Sequence, residues 1–426
     1  MSDRRSRAAV RKKRARKRTL ALAATFTVFA VAAIAIIVQL RGGDIDKVGT
    51  PAAYAAENTP VPTVESMPAV IESEETPVPT PEAPAPTPVP AGTSGLALPV
   101  PAKTAAPPED EPVRFTISAV GDCTLGGDML GASEKRFYDR VSKDGVVDYD
   151  YCFKNVKDIF ANDDLTIANF ETVLTSSRDY LKSDKSKIFI MRARPEYAHM
   201  LTAGNIEVVN IANNHINDFG DAGIDETIAY LDGVGVDSFG RGKIVYRDVK
   251  GVTVGLVGFS TWTTTDDFIE QTMAEARANC DVLIASFHWG TELEYKATKR
   301  QQNYGRRAVD LGADLVLGHH PHVVNGIETY KGVNIVYSLG NFCFGGKENP
   351  ADKDTFIYQH TFTVKNGKIS YATAGIIPCS ISSTDRINNY QPTPLTGKKA
   401  DDIVKKIQKH SKSFKEPWEV QLINLP

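Results

Sequence analysis

Short apolar runs alternate with polar turns along the chain from Val113 onward. Seven of these runs are rich in β-branched residues, which is typical of strands that are buried on both faces of a sheet. They are FTISAV (115–120), LTIAN (165–169), VVNIAN (208–213), VTVGLVGF (252–259), DVLIASF (281–287), DLVLG (314–318) and NIVYSLG (334–340). Helical patterns stand between several of them, at 221–235, 268–280 and 298–313. This alternation of strands and helices predicts a layered α/β domain.

The pattern changes toward the C-terminus. The segment TFIYQHTFTVKNGKISYAT (355–373) predicts a hairpin that turns at Asn366-Gly367, so the sheet is expected to have an antiparallel part. A surface helix is predicted at 401–414. We therefore place the folded domain at 113–413 and a C-terminal tail at 414–426.

The N-terminal region has a different pattern. Leu20 to Leu40 is an uncharged apolar run, about as long as the ~20 residues that cross a bilayer as a helix. The tip at 1–19 is strongly basic, and such charge is retained in the cytoplasm. This predicts a single-pass membrane protein with its N-terminus inside and its C-terminal domain outside the cell membrane. A cleaved signal peptide is the alternative, but the first Ala-x-Ala site, at 53–55, lies well beyond the run.

Composition adds a linker and excludes some partners. Residues 41–112 hold 16 of the 24 prolines, which predicts an extended, disordered extracytoplasmic linker. Residues 1–18 carry ten Lys or Arg and one Asp, so the tip is +9 and the rest of the chain, against a total of −3, is −12. An acidic domain does not indicate nucleic acid as a partner. The five cysteines show no CxxC spacing, so no disulfide framework is predicted.

Polar side chains stand where the predicted strands end. Six of the seven runs lead to a carboxylate, an amide or an imidazole, and ligands bind at the carboxyl ends of strands in open α/β sheets. These residues include Asp122, Glu171, Asn213, Asn214, His215, His288, His319, His320, His322 and Asn341. Each residue alone also fits a structural role: Asp122 a turn, Asn213 and Asn214 a helix cap, His288 a core histidine. Their common position favours a site.

The residue types suit a divalent metal. Carboxylate, amide oxygen and neutral imidazole form the mixed oxygen and nitrogen shell that suits Mn²⁺, Fe²⁺ or Zn²⁺. His320 and His322 flank Pro321, which fixes the backbone between them. Two metal ions ~3.5–4 Å apart, bridged by a carboxylate, would activate water and stabilise the charge of a phosphoryl displacement.

Seven ordered motifs between Val113 and Ser413 resemble the CapA family of poly-γ-glutamate capsule synthesis proteins. They are GDCTLGG, NFETVLT, ANNHINDFGDAGIDET, FHWGTELEY, GHHPHVVNGIE, YSLGNFCF and YQPTPLTG. The resemblance implies a fold similar to the calcineurin-like metallophosphoesterases, a four-layer α/β/β/α sandwich in which two mixed sheets lie between helices.

The resemblance also implies roles for individual residues. The implied metal ligands are Asp122, Glu171, Asn214, His288, His320 and His322, and the implied catalytic residues are His215, Asp122 and His288. Further residues are expected to orient these groups without direct bonds to the metal, namely His319, Asn341 and Asp218. Arg192 and Arg194, which follow the run KIFIM, are candidates for contacts with an anionic substrate.

Two departures from the metallophosphatase pattern affect the predicted site. Thr124 stands two residues after Asp122, where that pattern has a metal-binding histidine, and Glu171 replaces a shorter aspartate. His319 is an additional imidazole that either replaces the lost ligand or orients its neighbours.

Three functions fit these features. The first is an accessory protein that acts in the synthesis or export of an anionic polymer such as poly-γ-glutamate, together with capsule synthase subunits. The second is a metallophosphoesterase-like hydrolase that acts on a polymer of the cell envelope. The third is a non-catalytic module that binds such a polymer.

Overall fold

A computed structural model of the chain describes residues 111–181, 189–423 and 425. Within these residues no helix is both long and apolar enough to cross a membrane. The anchor predicted at Leu20–Leu40 and all but the last two residues of the predicted linker lie outside the described residues. The first strand begins at Val113, which is the predicted start of the folded domain.

Strands occur throughout the described part of the chain, and most of them are short. In chain order they are β1 (Val113–Thr124), β2 (Gly127–Asp128), β3 (Ser142–Lys143), β4 (Val146–Val147), β5 (Leu165–Phe170), β6 (Val173–Leu174), β7 (Met191–Ala193), β8 (Val208–Asn210), β9 (Asp237–Phe239), β10 (Val245–Val249), β11 (Val252–Ser260), β12 (Val282–His288), β13 (Leu315–His319), β14 (Ile327–Tyr330), β15 (Val333–Val336), β16 (Asn341–Phe344), β17 (Asp354–Lys365), β18 (Lys368–Ser380) and β19 (Thr393–Pro394).

The helices of the described residues alternate with these strands. They are α1 (Ser133–Val141), α2 (Lys157–Phe160), α3 (Ala198–Ala203), α4 (Gly220–Gly233), α5 (Asp266–Ala278), α6 (Lys299–Asp310) and α7 (Gly397–Ser411), with a 3₁₀ turn at Pro195–Tyr197. Each of the seven predicted strand runs falls at least in part on a strand, and each predicted helical pattern falls on a helix.

Two mixed sheets form the frame of the domain. The larger sheet has the order β19-β18-β17-β1-β5-β8-β9, and β16 also pairs with β1. Its members β1, β5, β8 and β9 run parallel, whereas β17 and β18 are antiparallel. The second sheet has the order β10-β11-β12-β13-β15-β14, with a parallel centre and an antiparallel strand at each edge.

Three apolar layers show how the sheets and helices stack. Between the two sheets, Ile117 and Ile167 of the larger sheet pack with Leu256 and Ile284 of the second. The outer face of the larger sheet packs against α1 to α4. The outer face of the second sheet packs against α5 and α6. The order of layers in the described domain is therefore α/β/β/α, and the predicted α/β fold class is confirmed.

The hairpin predicted at Asn366-Gly367 joins β17 to β18. Both residues have a positive φ, 53° and 67°, which is the geometry of a two-residue turn that matches the twist of its strands. The Asn-Gly pair suits this turn because both residues adopt a positive φ at low cost.

The C-terminal segment differs from the predicted tail. The amide of Trp418 donates to the carbonyl of Ile327 in the second sheet, and the amide of Ile423 donates to the carbonyl of Ile376 in the larger sheet. Phe414 is buried in the outer core of the second sheet. The segment up to Ile423 is therefore hydrogen-bonded to both sheets.

Candidate metal centre

The carboxyl ends of the parallel strands bring the predicted site residues together. From the larger sheet come Asp122 near the end of β1, Glu171 after β5 and Asn214 after β8. From the second sheet come His288, the last residue of β12, and His320 after β13. The two sheets thus supply oxygen and nitrogen groups to one place, as expected for an α/β sheet edge.

A buried amide connects the two sheets at this place. Asn169 Nδ2 donates to Asp122 Oδ1 at 2.8 Å and lies 3.3 Å from His288 Nδ1. Asn169 Oδ1 accepts from Asn210 Nδ2, and Asn210 Oδ1 accepts from the amide of Ala212. Because a backbone amide can only donate, this chain fixes the orientation of both side-chain amides. His288 Nδ1 therefore accepts from Asn169, and the ring proton of a neutral His288 lies on Nε2.

Glu171 lies at the centre of the cluster. Its side chain is 1% exposed, and neither carboxylate oxygen has a hydrogen-bond partner among the described residues. Oε1 lies 3.3 Å from His288 Nε2 and 3.8 Å from His322 Nε2. Glu171 belongs to two groups whose ligand atoms all lie within 4.8 Å of one another, one with His320 and His322 and one with Asp122 and His288. A buried carboxylate shared in this way has the position of a bridging ligand.

The His320–His322 segment has an unusual backbone. His320 has a φ of 92° and His322 a φ of 57°, and residues other than glycine adopt such values at a cost of about 1–3 kcal/mol. His322 Nδ1 lies 2.9 Å from Asn341 Oδ1 and 3.1 Å from Asp122 Oδ2. Since both neighbours accept, Nδ1 carries the proton and Nε2 faces Glu171 as an acceptor in the neutral ring.

Burial and charge separate the pKa values of the cluster. Burial raises the pKa of Glu171 to about 8. Burial would also raise the pKa of Asp122, but the imidazoles of His319 and His322 hold it well below its usual value. Burial opposes the charged form of His322, yet Glu171 and Asp122 raise the pKa of this imidazole to about 10. Metal binding at His322 would therefore release a proton.

The other two imidazoles of the set are neutral. Burial, followed by the nearby His288 and His322, lowers the pKa of His320 to about 2. Burial also holds the pKa of His288 well below its usual value. A neutral imidazole is the form that binds a metal ion. His320 Nδ1 is buried without a hydrogen-bond partner in the described part of the chain.

His319 and Thr124 are two of the residues at which the sequence differs from the metallophosphatase pattern. Thr124 is fully buried and donates its hydroxyl to the carbonyl of Glu171 at 3.2 Å. His319 is 1% exposed, pairs in register with His288, and places Nδ1 3.5 Å from Asp122 Oδ1. His319 belongs to neither of the two ligand groups that share Glu171, so its imidazole lies beside Asp122 without completing a ligand set.

His215 lies at the mouth of the cluster. Its Nδ1 is 2.9 Å from Asp218 Oδ2, which also accepts from the amide of Met191 at 2.7 Å. His215 and His322 line a cavity of about 250 Å³. The rest of the wall is largely apolar and includes Phe189, Met191, Leu293, Phe344 and Pro350. Because Nδ1 is paired with Asp218, Nε2 is the ring nitrogen that can contact a molecule in the cavity.

Two of the predicted ligands bind each other. His288 Nε2 lies 2.8 Å from Asn214 Oδ1, and the proton that Asn169 directs to Nε2 forms this bond. A metal bound through Nε2 of His288 would take the place of that proton. Loss of this proton, together with the proton that His322 would release, is a change that metal binding requires of the predicted ligands.

Several residues of the site were not among the predicted site residues. Asn169 lies within the motif NFETVLT, and its position at a strand end was the available signal. Trp262 is 47% exposed and packs edge-on against His320 at 4.5 Å and His288 at 5.9 Å between ring centroids. No periodicity marks Trp262, because it lies in a loop between β11 and α5.

The two arginines predicted to contact substrate have other partners. Arg192 is 6% exposed, forms an ion pair with Glu134 and donates to the carbonyls of Ser176 and Ser177. The Arg194 guanidinium lies 3.7 Å from the centre of the Tyr138 ring. Neither arginine lines the 250 Å³ cavity. Their proposed contact with substrate is not supported, because packing and pairing occupy both guanidinium groups.

Comparisons with known proteins agree with these features. Residues 116–346 match the sequence model of a family described as bacterial capsule synthesis protein PGA_cap. The chain is 30% identical over 259 residues to the capsule biosynthesis protein CapA of Bacillus anthracis, and the aligned region covers 54% of this chain and 60% of that protein. It is 31% identical over 253 residues to the PGA biosynthesis protein CapA of Bacillus subtilis (strain 168), with 54% and 63% covered.

The matched regions are partial. The chain spans less than two thirds of the length of either Bacillus protein. A solved structure described as a novel phosphatase from Mycoplasma pneumoniae aligns with 63% of this chain and 94% of its own chain. The identity is 13% and the TM-score is 0.38, so this likeness is too weak to support an argument. The family match covers more than half of the chain and contains every predicted metal ligand. This chain belongs to the PGA_cap family of bacterial capsule synthesis proteins.

Proposed function

We propose that this protein acts in the synthesis or export of an anionic capsule polymer such as poly-γ-glutamate, and that it binds divalent metal at the cluster around Glu171. Its two Bacillus relatives are named for capsule biosynthesis and for PGA biosynthesis, which supports the choice of poly-γ-glutamate as the polymer. Capsule synthase subunits are the expected partners. The single-pass anchor at Leu20–Leu40 and the linker at 41–112 would hold the domain outside the cell membrane, as the sequence pattern favours.

The metal proposal rests on one observation, the unpartnered carboxylate of Glu171. Burying two carboxylate oxygens without a hydrogen bond is costly, and native proteins seldom do so unless a further group binds there. The neighbouring imidazole nitrogen of His320 has no partner within the described residues either. The residues that would hold the metal are Asp122, Glu171, Asn214, His288, His320 and His322. Mn²⁺, Fe²⁺ or Zn²⁺ bound there would supply a Lewis acid and an activated water.

Hydrolysis is the second candidate function, and the pair of His215 and Asp218 favours it. The His215 ring projects into the 250 Å³ cavity beside the cluster, and Asp218 fixes its proton on Nδ1. Nε2 of the neutral ring can then accept a proton from a molecule bound in that cavity, and the imidazolium so formed can donate it to a leaving group. The enzyme would be a phosphoesterase-like hydrolase of an envelope polymer. A module that binds the polymer without turnover is the remaining alternative.

Metal binding by the full-length protein tests the proposal. Purified protein supplied with Mn²⁺ and Zn²⁺ is expected to hold one or two ions per chain, as measured by elemental analysis and calorimetric titration. The double variant His320→Ala, His322→Ala should lose most of this metal. The matched control is His199→Ala, His410→Ala, which removes two of the eight histidines away from the cluster. An unmutated protein that takes up neither ion contradicts the proposal.

A complementation experiment separates the accessory protein from the enzyme. A capsule-deficient deletion strain would receive the unmutated gene, a His215→Gln variant or a His288→Ala variant. Loss of capsule in His215→Gln with metal content intact indicates catalysis. Full capsule with both variants indicates that the protein acts without turnover at this site.

A further inference from the structure

A second cavity lies on the His288 side of the cluster. It has a volume of about 390 Å³, and its wall includes Asn213, Arg241, Ser260, Thr263, Thr264 and Thr265. It shares no lining residue with the 250 Å³ cavity at His215. Ser260 is the register partner of His288 on the neighbouring strand, and Asn213 directly precedes the predicted ligand Asn214. The cavity is therefore adjacent to the candidate metal centre.

Arg241 is the cationic residue of this wall. It lies in a tight turn in which Gly240 and Lys243 exchange backbone hydrogen bonds of 2.9 and 3.1 Å. Its φ is 57°, a conformation that costs energy for a residue other than glycine. Among the described residues the guanidinium has no hydrogen bond or ion pair, whereas Arg192 pairs with Glu134 and Arg194 with Glu196. An exposed arginine at a cavity wall, without a carboxylate partner, is free to bind an anion.

Ser260 adds a second polar group without a partner. Its side chain is 2% exposed, and its hydroxyl makes no hydrogen bond to the described residues. A buried hydroxyl of this kind costs free energy unless another molecule satisfies it. Ser260 lines the cavity, and its hydroxyl is a hydrogen-bond donor.

The N-terminus of the helix that follows lies at the cavity wall. Thr265 caps α5, a helix of 13 residues, so the positive end of the helix dipole lies at the cavity wall. The first-turn acids Asp266 and Asp267 do not line the cavity. Asp266 binds the Tyr304 hydroxyl and the Arg307 guanidinium instead.

We infer that this cavity, through Arg241 and Ser260, binds an oxyanion of the same substrate whose reacting group reaches the metal cluster. The ligand chemistry is a carboxylate, as in a γ-linked glutamate chain, or a phosphate, because the planar guanidinium binds either through two parallel hydrogen bonds. The inference rests on the proposed function, since it assigns the cavity to the same site. The chain beyond the basic tip has a net charge of −12, which would repel an anionic ligand. Arg241 supplies a positive group that offsets this repulsion at the cavity.

Calorimetric titration of the full-length protein tests this inference with two probes, a γ-linked glutamate decamer and inorganic phosphate. Both are titrated with and without saturating Mn²⁺. Arg241→Gln should weaken binding of the preferred probe about tenfold or more, and Ser260→Ala should weaken it less. Arg241→Lys should retain part of the affinity because it keeps the charge but loses the planar fork. The probe that binds more tightly identifies the source of the oxyanion.

Arg114→Gln is the matched control, since Arg114 is an exposed arginine at the opposite, amino-terminal end of β1. It should leave the affinity for both probes unchanged. Equal affinity in Arg241→Gln and the unmutated protein overturns the inference, as does an equal loss in Arg114→Gln or no binding of either probe. Metal content is measured in the same samples. An unmutated protein without metal contradicts the proposed function, and the metal-free titrations then still decide the role of Arg241.

Discussion

The side-chain amide of Asn169 lies 3.3 Å from Nδ1 of His288, so a strand of the larger sheet contacts a strand of the second sheet at the site. The same amide donates to Asp122 at 2.8 Å. Asn169→Leu removes both contacts at similar volume. We expect affinity for Mn²⁺ or Zn²⁺ to fall about 10- to 100-fold, since residues that orient metal ligands have effects of that size. Calorimetric titration of the metal measures the change.

Asn155→Leu provides the control for that variant. Asn155 is half-buried and donates to the Thr393 hydroxyl at 2.9 Å, away from the cluster. It should lose some stability but keep the metal affinity of the unmutated protein. If Asn169→Leu binds metal as tightly as Asn155→Leu does, the amide has no role in positioning Asp122 and His288.

The sequence was most informative about the ends of the central strands. The apolar runs predicted β1, β5, β12 and β13, and parallel strands then bring their carboxyl ends to one edge. The pattern did not predict the short strands β2, β6 and β7, because these elements are too short to show a period, and it also left α1 unpredicted. Arg192 and Arg194 illustrate a further limit: sequence locates a charge but not its partner, and Glu134 lies 58 positions from Arg192. Arg241 had no periodic or motif signal at all.

Acid should destabilise the fold through His360. Nδ1 of this residue on β17 lies 3.1 Å from the Tyr358 hydroxyl, the ring packs on Phe362, and burial lowers the pKa of the imidazole to about 4. The unfolded chain takes up the proton near its ordinary pKa, about 6.5. The stability that neutral His360 contributes is therefore fully present above pH 6.5 and is lost as the pH falls through about 4.

His360→Gln tests that pH dependence. The difference in the free energy of urea unfolding between the unmutated protein and this variant should shrink between pH 7.5 and 4.5, because glutamine does not titrate. His199→Gln, which changes an exposed histidine, is the matched control. Parallel pH curves for the unmutated protein and His360→Gln would show that His360 does not couple folding to protonation.

Gly121 should be intolerant of a side chain. A Cβ at this position would lie 1.9 Å from the carbonyl oxygen of Gly340, which accepts the amide of Asp122 at 2.9 Å. Gly121→Ala must therefore separate β1 from β16, and we expect a loss of about 1–3 kcal/mol or more in unfolding free energy. Gly233→Ala is the control, since a Cβ there meets nothing within 4 Å at the end of α4. It should be neutral or slightly stabilising. Similar denaturant midpoints for both variants would contradict this account.

The predicted anchor can be tested by fractionation. The full-length protein should sediment with membranes and resist extraction by salt, because about 20 apolar residues span the bilayer. A variant that lacks residues 1–40 should not sediment with them. Protease added to intact spheroplasts should degrade the domain that begins at Val113 if it lies outside. Full-length protein found in the soluble fraction would contradict the anchor.

The position of β1 in the larger sheet has a consequence for how the chain folds. β1 is the first of the described strands to be synthesised, yet the hydroxyls of Thr116 and Thr361, which meet across β1 and β17, are separated by 245 positions. The loop that joins these strands must close before their ladder can form, and contacts so distant in sequence slow folding. The strand that carries Asp122 therefore remains incompletely paired until nearly all of the domain has been synthesised. An emerging chain would therefore carry that strand with one edge unpaired until β17 has been synthesised.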